Sequence, residues 1–111
     1  MSLDFSLTTK DLDGNALLAY SGNITHNLNK MAEEAGLYSV LWEPNEHGFV
    51  TAKQIIPVLE LGLEKLKSSP DYFKSFDSPN GWGLYIHFVP FVGEILEACK
   101  KHPSAAISAN R

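Results

Sequence analysis

The sequence predicts an α+β fold: three main helices packed with a small antiparallel sheet formed by the N- and C-terminal strands. Three observations predict it. Leu3, Phe5 and Leu7 alternate with Asp4, Ser6 and Thr8, the period of a half-buried strand. Apolar residues recur at helical spacing in three later segments. A short run, Ala105 to Ala109, follows the last of these and is placed to pair with an N-terminal strand.

The elements follow in order. Asp13-Gly14 is a turn signal after the first strand, and Ala16 to Tyr20 reads as a second short strand, so the two form a hairpin. Helix one is expected after Asn23, a good N-cap, with Ile24, Leu28, Met31, Ala32 and Ala35 on one face and Gly36 just past its end. Leu37 to Trp42 is a short apolar cluster, and Glu43 to Gly48 a loop. Helix two opens with a capping box, Thr51 and Gln54, and buries Ile55, Ile56, Leu59, Leu63 and Leu66. Pro57 should kink its start or mark where the main helix begins. Gly62 costs about 1 kcal/mol relative to alanine in a helix interior, so a close helix–helix contact is expected there.

Ser69-Pro70-Asp71 has the pattern of an N-cap, an N1 proline and an acidic first turn, and opens a short helix to about Phe76. Asp77 to Gly81 is a turn. Helix three then runs from about Gly83 to Lys101, with Tyr85, Phe88, Val89, Val92, Ile95, Leu96 and Cys99 on a wide apolar face. Pro90 should kink it. Lys100, Lys101 and His102 complement the negative end of its dipole, and Pro103 stops it. No repeat, low-complexity tract or linker divides the 111 residues, which fit one domain, 1–111.

The bulk numbers exclude several classes. An apolar content of 44% with 20% charged residues is that of a soluble globular chain. The net charge of −4 argues against a duplex nucleic-acid partner, and the lysines form no stripe. No apolar run approaches the roughly 20 residues that cross a bilayer, so no membrane is expected. Met1-Ser2-Leu3-Asp4 lacks the basic and apolar regions of a secretion signal, and Asn23-Ile24-Thr25 therefore carries little weight as a glycosylation acceptor. The single cysteine, Cys99, allows no intramolecular disulfide and fits a reducing, cytoplasmic compartment.

Two segments stand apart from this scaffold. Ser21, Asn23, Thr25, His26 and Asn27 crowd the expected start of helix one, more hydrogen-bonding side chains than a cap needs. The functional reading is a polar pocket whose backbone N–H groups face an anion, with a neutral His26 as donor or weak base. The bland reading is a cap with solvated neighbours. Asn80-Gly81-Trp82-Gly83 flanks an indole with glycines, so that Trp82 either stacks on a ring or lids the core. Tyr20 either reaches the pocket or ends its strand in the core. Trp42 and Tyr38 belong to the core or its edge, and Cys99 is a buried, inert thiol. Arg111, the only arginine, either forks onto a phosphate or carboxylate near the pocket or frays at the terminus.

Signals for chemistry are missing. His26, His47, His87 and His102 show no metal-ligand spacing, and no nucleophile, base and orienter can be assembled. No phosphate-binding glycine motif occurs, and no cofactor or metal is called for.

The segment Tyr20 to Tyr38 (YSGNITHNLNKMAEEAGLY) resembles a family of short, uncharacterised phage and prophage proteins with a Ser-Gly-Asn helix start. So do Ala52 to Pro57 (AKQIIP), Asn80 to Gly83 (NGWG) and Leu96 to Pro103 (LEACKKHP), so that the pattern covers most of the chain. The resemblance implies a small intracellular protein made during phage growth or from a prophage, in the cytoplasm of the bacterial host. No catalytic residues carry over from it.

Three functions follow as expectations. The first is a non-enzymatic protein that holds a small polar or anionic ligand, nucleotide-like in chemistry, through Ser21, Asn23, Thr25, His26, Asn27, Asn80, Trp82 and Arg111; a phage setting suggests sequestration of a host defence signal. The second is an inhibitor or adaptor that docks on a host protein through Trp82, Tyr85 or Trp42. The third is a small hydrolase with His26 as base. A second subunit could complete the pocket, so a homodimer is allowed.

Overall fold

The hairpin Ser2–Lys10 (β1) and Ala16–Thr25 (β2) builds two thirds of a three-stranded antiparallel sheet. The computed structural model describes residues 2–111; Met1, part of the stretch read above for a leader, lies outside them. Asp11 closes the hairpin, its Oδ1 accepting from the N–H groups of Asp13 (2.9 Å) and Asn15 (2.8 Å), while Gly14 takes φ +83°. The chain's last strand, Ala106–Asn110 (β3), pairs with the other edge of β1, from Asp4 opposite Asn110 to Thr8 opposite Ala106. The strand order is therefore β2-β1-β3, with the first strand in the middle. The fold is α+β, with the sheet drawn from both ends of the chain, as the N-terminal alternation and the short C-terminal run predict.

One face of the sheet carries the core. Leu3, Phe5 and Leu7 are fully buried, as period two requires. A bulge shifts the β1–β2 register between Leu7 and Thr8, so that Leu7 faces Tyr20 and Thr8 faces Leu18.

The helices cover that face. A 3₁₀ turn, His26–Leu28, leads into Asn29–Glu34 (α1), and Tyr38–Trp42 (α2) follows after Gly36 at φ +76°. The apolar cluster at Leu37 to Trp42 is thus a short helix, with Val40, Leu41 and Trp42 buried. Ala52–Ser68 (α3), Pro70–Lys74 (α4) and Tyr85–Lys101 (α5) complete the set. Gln54 reaches back at the start of α3, its Oε1 accepting from Thr51 N–H at 3.0 Å and Val50 N–H at 2.7 Å. Pro57 lies inside α3, which already begins at Ala52, so the proline does not mark the helix start. α3 and α5 pack on each other, α5 also packs on β2, and Ile55, Leu59, Phe88, Val92, Ile95 and Cys99 are wholly buried. Gly62 is explained by Leu37: a Cβ at residue 62 would lie 2.3 Å from Leu37 Cδ2.

The first helix departs from expectation. β2 does not stop at Tyr20 but runs through Asn23 to Thr25, paired residue for residue with β1 down to Ser2. Asn23 is a strand residue and caps nothing; Thr25 takes that place, its Oγ1 receiving Asn27 N–H at 3.4 Å. The cause is the partner strand. Ile24 sits opposite Leu3 and shares its burial, so a long-range ladder outweighs a local cap signal.

Candidate functional site

Two segments far apart in sequence meet at one end of the sheet. Asn27, just beyond β2, donates from Nδ2 to the carbonyl oxygen of Trp82 at 2.9 Å. Gly83 packs against it so closely that a Cβ there would lie 2.9 Å from Asn27 Cβ. Gly83 also holds φ +109°, a conformation that side chains disfavour. The two polar-aromatic segments are therefore neighbours.

The loop that carries Trp82 is held by its own polar groups. Asn80 Oδ1 accepts from Ser78 Oγ at 2.7 Å and from Trp82 N–H at 2.9 Å. Ser78 N–H in turn donates to the Gly83 carbonyl at 3.1 Å. Asp77 fixes the exit, its Oδ1 accepting the first N–H of α5, that of Tyr85, at 2.7 Å. The loop turns the indole outward: Trp82 is 68% exposed and does not lid the core.

Between the loop and the end of the hairpin lies an open cleft of about 720 Å³. Ser2, Asn23, Thr25 and Asn27 supply its polar wall, Ile24 and Leu28 its apolar floor, and the Gly-Trp-Gly turn its far side, with His87 from the first turn of α5. Asn23 is oriented from behind: its Nδ2 donates to Asp4 Oδ1 at 2.6 Å and to Ser2 Oγ at 3.0 Å. Asp4 and Asn23 face each other across the β1–β2 ladder, which makes this contact a consequence of register.

Of the eight residues singled out in sequence, Asn23, Thr25, Asn27 and Trp82 line this cleft, and four do not. Ser21 pairs with Ser6 further along β2. Asn80 serves the loop's own turn. His26 turns toward the core, where Trp42 Nε1–H donates to its Nδ1 at 3.0 Å and the rings meet edge to face at 6.1 Å. Trp42 is 1% exposed and stacks on Tyr38, with ring centroids 5.6 Å apart. Arg111 is neither frayed nor in the cleft; it binds Glu43 at 3.0 Å and Glu46 at 3.6 Å.

The expected anion site at the start of helix one loses its basis, because no helix starts at Asn23. Tyr20 faces α5 instead, where burial and then the Glu94 carboxylate push its phenol above the usual range. Comparison of the chain with protein-family models, curated proteins and solved structures finds no match.

The sequence reading does not place Ser2, Asp4 or His87 at the site. The first two become visible only once the β1–β2 register is known. His87 lies four residues beyond Gly83, so a helix starting at the loop would have brought it back to the same end. Neither hydroxyl on the wall is paired with a base. Ser2 Oγ receives an amide N–H from Asn23 and Thr25 Oγ1 the backbone N–H of Asn27. Among the described residues, no helix is long and apolar enough to cross a membrane.

Proposed function

We propose that the chain is a small non-enzymatic binding protein that holds a polar, ring-bearing ligand in the cleft between the end of the hairpin and the Trp82 loop. The observation that carries this reading is the convergence of Asn27 with Trp82, 55 positions away, and with Gly83, which sets an exposed indole beside amide and hydroxyl groups. An indole offers a flat face on which a ring stacks, and polar groups beside it read the ring's edge. Such a pairing suits recognition, whereas hydroxyls bonded to amide N–H groups are not poised as nucleophiles. The resemblance to phage proteins suggests a role in sequestering a host signal.

The test is a thermal-shift screen against nucleosides, nucleotides, cyclic nucleotides and ADP-ribose derivatives, with Trp82→Ala as control. A ligand at 100 times its Kd adds about 2.7 kcal/mol. In a chain of this size that raises Tm by roughly 10 °C. A shift present in the native protein and lost in Trp82→Ala supports the reading. No shift across the panel removes it.

A second reading is a docking module for a host protein. It is favoured by the exposure of Trp82, since tryptophan is among the residues enriched at binding hot spots.

A further inference from the structure

We infer that the cleft selects an uncharged ring that presents N–H or O–H donors along its edge, and that it turns anions away. The inference rests on the reading of the cleft as a ligand site and says which ligands fit.

The argument starts from the two amides. An asparagine side chain has a donating and an accepting end, and only its partners decide which way it points. Asn23 Nδ2 lies 2.6 Å from Asp4 Oδ1. A carboxylate only accepts, so the nitrogen must face it. Asn27 Nδ2 lies 2.9 Å from the Trp82 carbonyl, which also only accepts. Both N–H groups of Asn23 are thereby committed within the protein, and one of the two on Asn27. Both amide oxygens are left without a protein donor among the described residues. A ligand that meets these two oxygens must bring donors.

Charge points the same way. The Asp4 carboxylate stands directly behind Asn23. The N-terminus of α5 reaches the cleft through His87, but its leading N–H is already taken by Asp77 at 2.7 Å. A carboxylate therefore already occupies the positive end of the helix dipole. The only arginine is held by Glu43 and Glu46, outside the cleft, and no lysine lines it. Among the described residues no lysine or arginine lines the cleft to compensate a phosphate, and the Asp4 carboxylate stands next to Asn23. The shared ligand chemistry is thus a neutral ring with donors at its edge, stacked on Trp82, and it has two sources: an amino-bearing nucleobase or a sugar.

The experiment titrates the full-length protein at pH 8 and follows the accessibility of Trp82 to acrylamide, since Trp42 is buried and silent to the quencher. One arm uses adenosine, inosine and AMP; the other uses methyl glucoside and glucose 6-phosphate. The expected result is protection of Trp82 by adenosine or by methyl glucoside. The phosphorylated member of the same arm should bind about fivefold to tenfold more weakly at low salt, the scale of one exposed like-charge contact. In the purine arm inosine, with one N1–H donor and a carbonyl on the edge where adenosine has an amino group with two N–H donors, should also bind more weakly than adenosine. Asp4→Asn should narrow the gap between the neutral and phosphorylated forms. Tighter binding of AMP or glucose 6-phosphate than of its neutral parent overturns this inference and leaves the ligand site standing. No protection and no thermal shift by any of the five compounds overturns the ligand site and this inference together.

Discussion

The side chain of Asn27 and the backbone carbonyl of Trp82 are joined by a hydrogen bond of 2.9 Å, and this bond ties the end of the hairpin to the loop before α5. Both partners are exposed, so the bond contributes about 1 kcal/mol at most to stability. Its effect is positional. It holds the backbone of Trp82 against the end of the strand that carries Asn23 and Thr25.

Gly83 is what allows that approach, and Gly83→Ala should destroy it. The new Cβ would meet Asn27 Cβ at 2.9 Å on a backbone held at φ +109°. Strain of this kind costs roughly 1–3 kcal/mol. The variant should melt several degrees lower, and Trp82 should lose any protection by ligand. A variant with native stability would show that the loop adapts without Asn27.

His26 serves the core, so His26→Ala should act on stability. Removing the imidazole leaves the indole N–H of the buried Trp42 without its acceptor. An unpaired buried donor costs about 1–3 kcal/mol. The expected outcome is a lower denaturation midpoint with the accessibility of Trp82 unchanged. Native stability together with a lost activity would instead favour the hydrolase reading.

How much of this was legible in the sequence depends on the range of the interaction. Features set within a few residues could be read directly: the Asp13-Gly14 turn, the Gln54 reach-back at the start of α3, Pro70 at the head of α4, and the apolar face of α5. Asn23 was misread because Ile24 fits two patterns. It begins a helical apolar series with Leu28 and Met31, and it also continues the strand alternation when Leu3 stands opposite. Only the pairing of β1 and β2 decides between them. The site divided along the same line. Asn27 and Trp82 are marked by their neighbours, whereas Ser2 and His87 reach the cleft, and Asp4 reaches Asn23, through register and helix phase. Arg111 was drawn elsewhere by Glu43 and Glu46, carboxylates whose position no local pattern reveals.

Gly62→Ala sets two effects against each other. Alanine gains about 1 kcal/mol of helix propensity in the interior of α3. Its Cβ, however, would lie 2.3 Å from Leu37 Cδ2, and Leu37 is fully buried and cannot swing out to solvent. Overpacking of this sort costs typically about 1–3 kcal/mol. The contact should win, with a net loss of roughly 1 kcal/mol. Gly62→Ala combined with Leu37→Ala should lose less than the sum of the two single changes, a coupling that a double-mutant cycle would measure.

The stability of the protein should fall as the solution becomes alkaline, and Cys99 is one source. Burial in the core pushes its thiol from an ordinary 9.0 up to about 11. The folded state thus keeps a proton that the unfolded chain releases. Below pH 9 both states are protonated and the stabilisation is fully present. Between pH 9 and about 11 the unfolded chain binds fewer protons, so stability declines with rising pH until the folded thiol ionises as well. Two pH units correspond to roughly 2–3 kcal/mol. Tyr20 and Tyr72, whose phenols are also raised, act in the same direction at higher pH. Urea unfolding from pH 7.5 to 10.5 should show a steeper loss for the native protein than for Cys99→Ala. Alanine starts from a lower stability because of the cavity it leaves, but it has no thiol to titrate. Parallel curves for the two proteins would mean that Cys99 ionises alike in both states. The same thiol should resist alkylation in the folded protein at pH 8 and react once urea exposes it.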